Sequence, residues 1–316
     1  MKTLYPALEP YATYNLELDN AHRVYVEECG NRFGLPVVFL HGGPASGCKP
    51  HHRCFFDPDK YRIILFDQRG CGRSMPKGRL AGNTTQHLIQ DMETIRRKLG
   101  VDKWLLFGGS WGGALALLYA QEYPDRVSGI IVRGVFLARR RDLEWFVEDG
   151  VNRIYPEQWR RLINCISEDE RSDLVEALQR RLHGIDELAQ RRVSREWEAW
   201  GSQVSLGHEF ALADAETPVS DLVHQVRIEM HYANNAYFID DNYILDHCDR
   251  IPKVPITILH GRFDLVCPVE AAYSLHQRLP SAKFEVLANS GHVARGEEMI
   301  DALVRATGEM FEQVGS

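Results

Sequence analysis

Short, uninterrupted apolar runs recur along the chain: Val37-Val38-Phe39-Leu40, Ile63-Ile64-Leu65-Phe66, Leu105-Leu106-Phe107, Gly129-Ile130-Ile131-Val132, Ile256-Thr257-Ile258-Leu259 and Phe284-Glu285-Val286-Leu287. Runs of this length, rich in branched side chains, suit strands buried on both faces of a parallel sheet. Ahead of them, residues 14–28 alternate instead. Tyr14, Leu16 and Leu18 share one face, then Val24 and Val26 share another, around the turn-like Asp19-Asn20. That pattern predicts an antiparallel hairpin with one solvated face. Between the runs the apolar spacing changes to that of a helix. Leu88, Ile89, Met92, Ile95 and Leu99 fall within residues 85–99, residues 111–121 are rich in Ala and Leu, and Met299, Leu303, Ala306 and Met310 fall within 298–312. Strand alternating with helix predicts an open, mostly parallel α/β sheet.

Residues 137–246 break this alternation. Their patterns are helical and highly charged, they carry Trp145, Trp159, Trp197 and Trp200, and they hold no convincing buried strand. The expected organisation is therefore a core domain made of residues 1–136 and 247–316, with a helical cap inserted at 137–246. No internal repeat or low-complexity segment points to a solenoid.

Composition removes several classes of function. With 316 residues, 44% of them hydrophobic, the chain is long enough for one large core plus an insertion. Its 37 Lys and Arg against 44 Asp and Glu leave a formal net charge of −7, a poor surface for nucleic acid. No stretch approaches the roughly 20 apolar residues of a membrane span. The first residues, Met1 to Asn20, lack the apolar centre and small-residue cleavage site of a secretory signal. Seven scattered cysteines without a CxxC spacing argue against a disulfide framework or a zinc ribbon and for a reducing compartment. The expectation is a cytoplasmic protein that requires no metal or organic cofactor, with its oligomeric state left open.

Candidate chemistry clusters just after the predicted strands, where open α/β sheets place functional groups. Gly108-Gly109-Ser110-Trp111-Gly112 contains Gly-x-Ser-x-Gly between an apolar run and an Ala/Leu helix. That is the context of a nucleophile elbow, with Ser110 lifted clear of the backbone. A serine hydroxyl needs a base to take its proton and a third group to orient that base. Asp264 and His292 follow in the order such folds use. The turn His41-Gly42-Gly43-Pro44, directly after a strand, offers a backbone N–H to a developing oxyanion, with a second from Trp111. His260 reads as a packing or hydrogen-bonding residue. His51-His52, without a third ligand at metal-site spacing, reads as a surface pair. Cys71, Cys267 and Cys48 lie in strand-end loops near the site. No base is placed to activate them, so they read as structural.

With these segments in view, the sequence resembles the proline iminopeptidases, a family of α/β-hydrolases. The matching segments are HGGP at 41–44, FDQRGCGRS at 66–74, GGSWGG at 108–113, RGVFLARR at 133–140, RIEMHY at 227–232, HGRFDLVCP at 260–268 and SGH at 290–292. The resemblance implies release of an N-terminal proline from small peptides through an acyl-enzyme on Ser110, with Asp264 and His292 completing the triad. It implies that Glu229 helps hold the substrate's free amine, and that Gly42 and Arg133 border the peptide. A salt bridge tying cap to core is the alternative reading of Arg133. The chain departs from the pattern at three places. Ala45 and Ser46 follow HGGP where the family usually has glycine, Gly201 stands where a cap carboxylate follows the second tryptophan, and Ala233 replaces an aromatic. A second carboxylate would then have to come from Glu196 or Glu198. The alternative is an esterase, lactonase, amidase or acyl-transferring hydrolase whose cap takes another small acyl substrate.

Overall fold

The computed structural model describes residues 1–210 and 219–315, with His208 by its backbone alone. Strands β1 (Ala12–Glu17), β2 (Arg23–Gly30), β3 (Leu35–Leu40), β4 (Tyr61–Phe66), β5 (Trp104–Ser110), β6 (Val127–Val135), β7 (Ile256–Gly261) and β8 (Lys283–Leu287) form one sheet of order β1-β2-β4-β3-β5-β6-β7-β8. β1 and β2 pair antiparallel, β2 meets β4 antiparallel, and the other pairs are parallel.

The continuous apolar runs have a direct cause. Alternate residues of the central strands enter two different cores. Val38, Ile64, Leu106 and Ile258 pack with Leu88 and Met92 of α1 (Thr85–Lys98) and Leu115 of α2 (Trp111–Glu122). Val37, Ile63, Leu105 and Leu259 pack on the opposite face against Met299, Leu303 and Met310. Neither face is left to water, so neither can be polar. The edge hairpin differs from its expected arrangement. Tyr14 pairs with Val26 and Leu16 with Val24, and directly opposed residues of an antiparallel pair point to the same side. The two apolar sets therefore form one face, packed on the α1–α2 side of the core.

Between β6 and β7 lie α3 (Arg140–Val147), α4 (Pro156–Ile163), α5 (Leu174–His183), α6 (Glu187–Leu206), α7 (Val219–Asn234) and α8 (Tyr243–Asp246), with no strand among the described residues. α9 (Val269–Arg278) and α10 (Glu297–Val314) complete the chain. The inserted helices have a core of their own, including Val147, Leu178, Trp200, Val226 and Met230. α7 serves both cores: Val226 and Met230 face the inserted helices, whereas Ile228 and Tyr232 face the sheet side. A side chain such as Glu229 on this helix is thereby placed between the two layers.

Candidate active site

Ser110 ends β5 and precedes the first turn of α2 with φ 55° and ψ −126°, a backbone region that side chains disfavour. The turn is enforced by its glycines. A Cβ added to Gly108 would lie 2.2 Å from the Gly112 oxygen, and one added to Gly112 would lie 2.0 Å from the Leu40 oxygen. Strain of this kind costs about 1–3 kcal/mol and persists where the surroundings over-determine it.

Asp264 follows β7 and His292 follows β8. His292 Nδ1 donates to Asp264 Oδ2 at 2.8 Å, while Asp264 Oδ1 accepts from the N–H groups of Val266 (3.0 Å) and Cys267 (2.8 Å). Burial pushes the Asp264 carboxyl up. The charge and hydrogen bond of His292, with His260 and the Cys267 amide, outweigh it and hold the group below its ordinary value. Committing Nδ1 to the carboxylate leaves Nε2 as the nitrogen for proton exchange. Ser110 and His292 line the same cavity, and no hydrogen bond joins them among the described residues. Such contacts are often long in unliganded sites and tighten around substrate.

Cys267 is buried beside Ser110, and burial holds its thiol well above the ordinary range. It therefore stays protonated and does not compete as a nucleophile. Asp264, Cys267 and His292 also bring donor atoms within 4.8 Å of one another. A protonated thiol beside a His–Asp pair already bonded to each other suits proton transfer better than an ion.

The loop after β3 is fixed by Asp67 and Gln68, the two residues that follow β4. Gln68 donates from its backbone N to His41 Nε2 (3.0 Å) and from Nε2 to the His41 oxygen (2.9 Å), and its Oε1 accepts from Trp111 Nε1 (2.9 Å). Asp67 accepts from Cys48 N (2.7 Å) and pairs with Arg73 (2.8 Å), anchoring the far end of the loop. Gly42 and Gly43 line the cavity near Ser110, and a Cβ on Gly42 would lie 3.5 Å from that of Ser110.

The cavity, about 530 Å³, runs from these groups to the inserted helices. Glu229 lines it from α7, with Oε2 accepting from Trp197 Nε1 (2.6 Å) and Oε1 from Gln225 Nε2 (2.9 Å). Among the described residues no cation pairs with it. Burial, reinforced by Glu198, pushes its carboxyl up to about 7 against the pull of the two hydrogen bonds. Glu198 lines the same cavity from α6 and is held above its ordinary value by the surrounding protein. Glu196 points elsewhere and accepts from Gln158 at 3.4 Å. Gly201 and Ala233 line the cavity too, and a Cβ on Gly201 would meet nothing within 4 Å.

The chain was compared with known proteins. Residues 36–298 match the family model described as alpha/beta hydrolase fold. A proline iminopeptidase of Xylella fastidiosa is 44% identical over 311 residues, covering 97% of this chain and 99% of that protein. One of Arabidopsis thaliana is 40% identical over 328 residues, covering 99% and 83%. The chain belongs to the proline iminopeptidases. It is thus a hydrolase of the α/β-hydrolase fold, and solved structures agree at the level of fold. An alpha/beta fold family hydrolase from Bacillus anthracis superposes with TM-score 0.61 at 19% identity, covering 96% of this chain and 100% of that one.

Within this proline iminopeptidase family member, several sequence expectations change. His51 and His52 are not a mere surface pair: both line the cavity, and His52 stacks on Phe39 with centroids 4.3 Å apart. Burial, with His51 beside it, pushes His52 down to about 2, so it is a neutral wall. Arg133 forms no salt bridge to the inserted helices among the described residues. It donates to the His292 backbone oxygen at 2.5 Å and lines the cavity as a cation. His260 behaves as expected, accepting from Val135 N at 3.0 Å and bonding the Cys267 oxygen at 2.8 Å. Gln68 was missed. Its signal was its place immediately past β4, at the same strand-end level as His41 and Ser110. No helix among the described residues is long and apolar enough to cross a membrane.

Proposed function

We propose that the enzyme releases an N-terminal proline from small peptides through an acyl-enzyme on Ser110. His292 Nε2 takes the hydroxyl proton as Oγ attacks the prolyl carbonyl, and Asp264 stabilises the imidazolium. The N–H groups of Gly43 and Trp111 receive the oxyanion. His292 then protonates the leaving amine. Water, deprotonated by the same nitrogen, frees proline.

The observation that carries the substrate reading is the uncompensated Glu229 carboxylate at the end of the cavity that Ser110 also lines. A charged hydrogen-bonded pair with an ammonium restores what burial removes, and a substrate without the amine leaves it unpaired. Glu198 contributes the second carboxylate, with Gly201 leaving room beside it. The relatives named proline iminopeptidase support proline as the residue held there. In the same reading residues 137–246 act as the cap that roofs the cavity, Gly42 and Arg133 border the peptide, and the free cysteines fit a cytoplasmic setting.

The test compares a prolyl chromogenic amide with its N-acylated counterpart. The free amine is expected to be turned over at least about tenfold better in kcat/KM. Equal turnover of the two would remove the clamp and return the esterase or amidase alternative.

A further inference from the structure

On the cavity side of α7, Glu229 is followed one turn later by Ala233, which offers a bare methyl group. Past the helix, the next side chain of this segment to line the cavity is Tyr237. The backbone that delivers it is strained. Ala236, Tyr237 and Phe238 have φ of 47°, 53° and 57°. Consecutive left-handed residues without a glycine are unfavourable, and such strain gathers at functional sites. Two side chains from the start of α1 hold the turn: Thr85 Oγ1 donates to the Tyr237 oxygen at 2.5 Å and Gln86 Nε2 to the Phe238 oxygen at 2.7 Å. Phe238 packs instead against His231 and Tyr232, with centroids 5.0 and 5.3 Å apart.

The Tyr237 side chain is anchored through its ring. It stacks on Trp111, the residue after Ser110, with centroids 5.5 Å apart and planes 30° apart. It also meets Phe136, another cavity-lining residue, edge to face at 5.0 Å. Its hydroxyl makes no hydrogen bond among the described residues and is left accessible from the cavity. Burial, reinforced first by Glu229, holds the phenol above its ordinary value, so it stays neutral. The ring therefore stands between the Ser110 end, where it touches Trp111, and the Glu229 end, whose charge it feels. A prolyl unit must span the same interval, with its acyl carbon at one end and its amine at the other. What lies between those atoms is the pyrrolidine ring, a compact apolar body suited to an aromatic face.

We propose that Tyr237 selects for a cyclic imino acid: with Phe136 it forms an aromatic slot that takes the pyrrolidine ring while Ser110 meets the acyl carbon and Glu229 the amine. The inference rests on the reading of Ser110 and Glu229 given above, and it adds the group that distinguishes a ring from an open chain.

A prolyl chromogenic amide is compared with its N-methylalanyl counterpart, which keeps a secondary amine and opens the ring. The parent is expected to favour the prolyl amide at least about tenfold in kcat/KM. Tyr237→Gly suits the left-handed backbone and removes the ring. It should lower kcat/KM for the prolyl amide about tenfold or more and for the N-methylalanyl amide less than about threefold. Tyr237→Phe keeps the ring and should stay within about threefold of the parent on both. Ala236→Gly relaxes the same turn at an exposed position without touching the ring, so it should melt no lower than the parent and keep both activities. Equal losses on the two substrates in Tyr237→Gly, or a matching loss in Ala236→Gly, would make Tyr237 a structural residue and overturn the proposal. So would a parent that does not prefer the prolyl amide. A loss in Tyr237→Phe as large as in Tyr237→Gly would assign the effect to the hydroxyl and overturn the slot. Cleavage of the N-acylated prolyl amide as fast as the free amine would strike the Glu229 clamp while leaving the ring preference measurable, so the two readings fail separately.

Discussion

At the Ser110 end of the cavity the candidate groups stand on strand ends and the loops that follow them, shaped by backbone, whereas at the Glu229 end, the proposed amine end, they are side chains on helices. Ser110 is set by glycines that exclude even a Cβ, and Asp264 and His292 lie in the loops that follow β7 and β8. Glu198 and Glu229 project from α6 and α7, and beside them Gly201 leaves open space. Chemistry fixed by backbone has few tolerated substitutions. Recognition carried by helix side chains can be relocated by one turn, as the proposed reading has Glu198 do for the position held by Gly201.

The largest effect expected on this contrast is at the reacting end. Ser110→Ala should lower kcat/KM by about 10⁴-fold or more for prolyl amides and for simple esters alike. The cavity stays intact, so substrate affinity by direct titration should hold. Loss on amides alone would mean that another group attacks esters.

Glu229→Gln tests the amine end and should separate substrates rather than abolish chemistry. We expect about a 10²-fold loss of kcat/KM for free-amine substrates and little change for N-acylated ones or esters. The pH dependence has a definite sign. The clamp needs an ionised Glu229, so kcat/KM for prolyl amides in the parent should climb as pH rises through about 7. Stability runs the other way. The folded carboxyl sits at about 7 against an ordinary 4.5, so its contribution is fully present below 4.5 and is lost as pH rises through 7. Glu229→Gln should therefore melt higher than the parent at pH 8, by about 2 °C, and match it at pH 4. A variant that melts lower at pH 8 would show that the carboxylate is compensated in the parent.

A smaller effect is expected where the two ends meet the oxyanion loop. Gln68→Leu removes the side chain that ties His41 to Trp111 and should lower kcat about tenfold with KM nearly unchanged, because the donors act on charge that develops only in the transition state. A change confined to KM would mean that Gln68 shapes the pocket instead.

The same contrast explains what the sequence discloses. Continuous apolar runs report burial on both sheet faces, and the strand-end positions of His41, Ser110, Asp264 and His292 follow from that periodicity alone. The hairpin's shared face was not legible, since alternation fixes the two faces of a strand but not which face meets its partner. His52 was likewise hidden, and Gln68 was marked only by its strand-end position. A stacked neutral imidazole and a bridging amide owe their roles to neighbours distant in sequence. Glu196 and Glu198 are two positions apart on a helix, about 200° around its axis, so which one enters the cavity depends on how α6 packs against α7.

Gly201 offers the finest cut. If Glu198 already supplies the second carboxylate, a new one at 201 is redundant. Gly201→Glu meets open space and replaces a mid-helix glycine, so the fold should gain about 0.5 kcal/mol from helix propensity while KM moves less than about threefold. Glu198→Gln alone should raise KM for prolyl amides about tenfold. Adding Gly201→Glu to it should recover most of that loss, because the new carboxyl starts one turn along the same helix face. Independent effects in the double variant would show that the two positions do not serve one ammonium. A tenfold lower KM from Gly201→Glu alone would show that the amine end was incomplete with Glu198 in place.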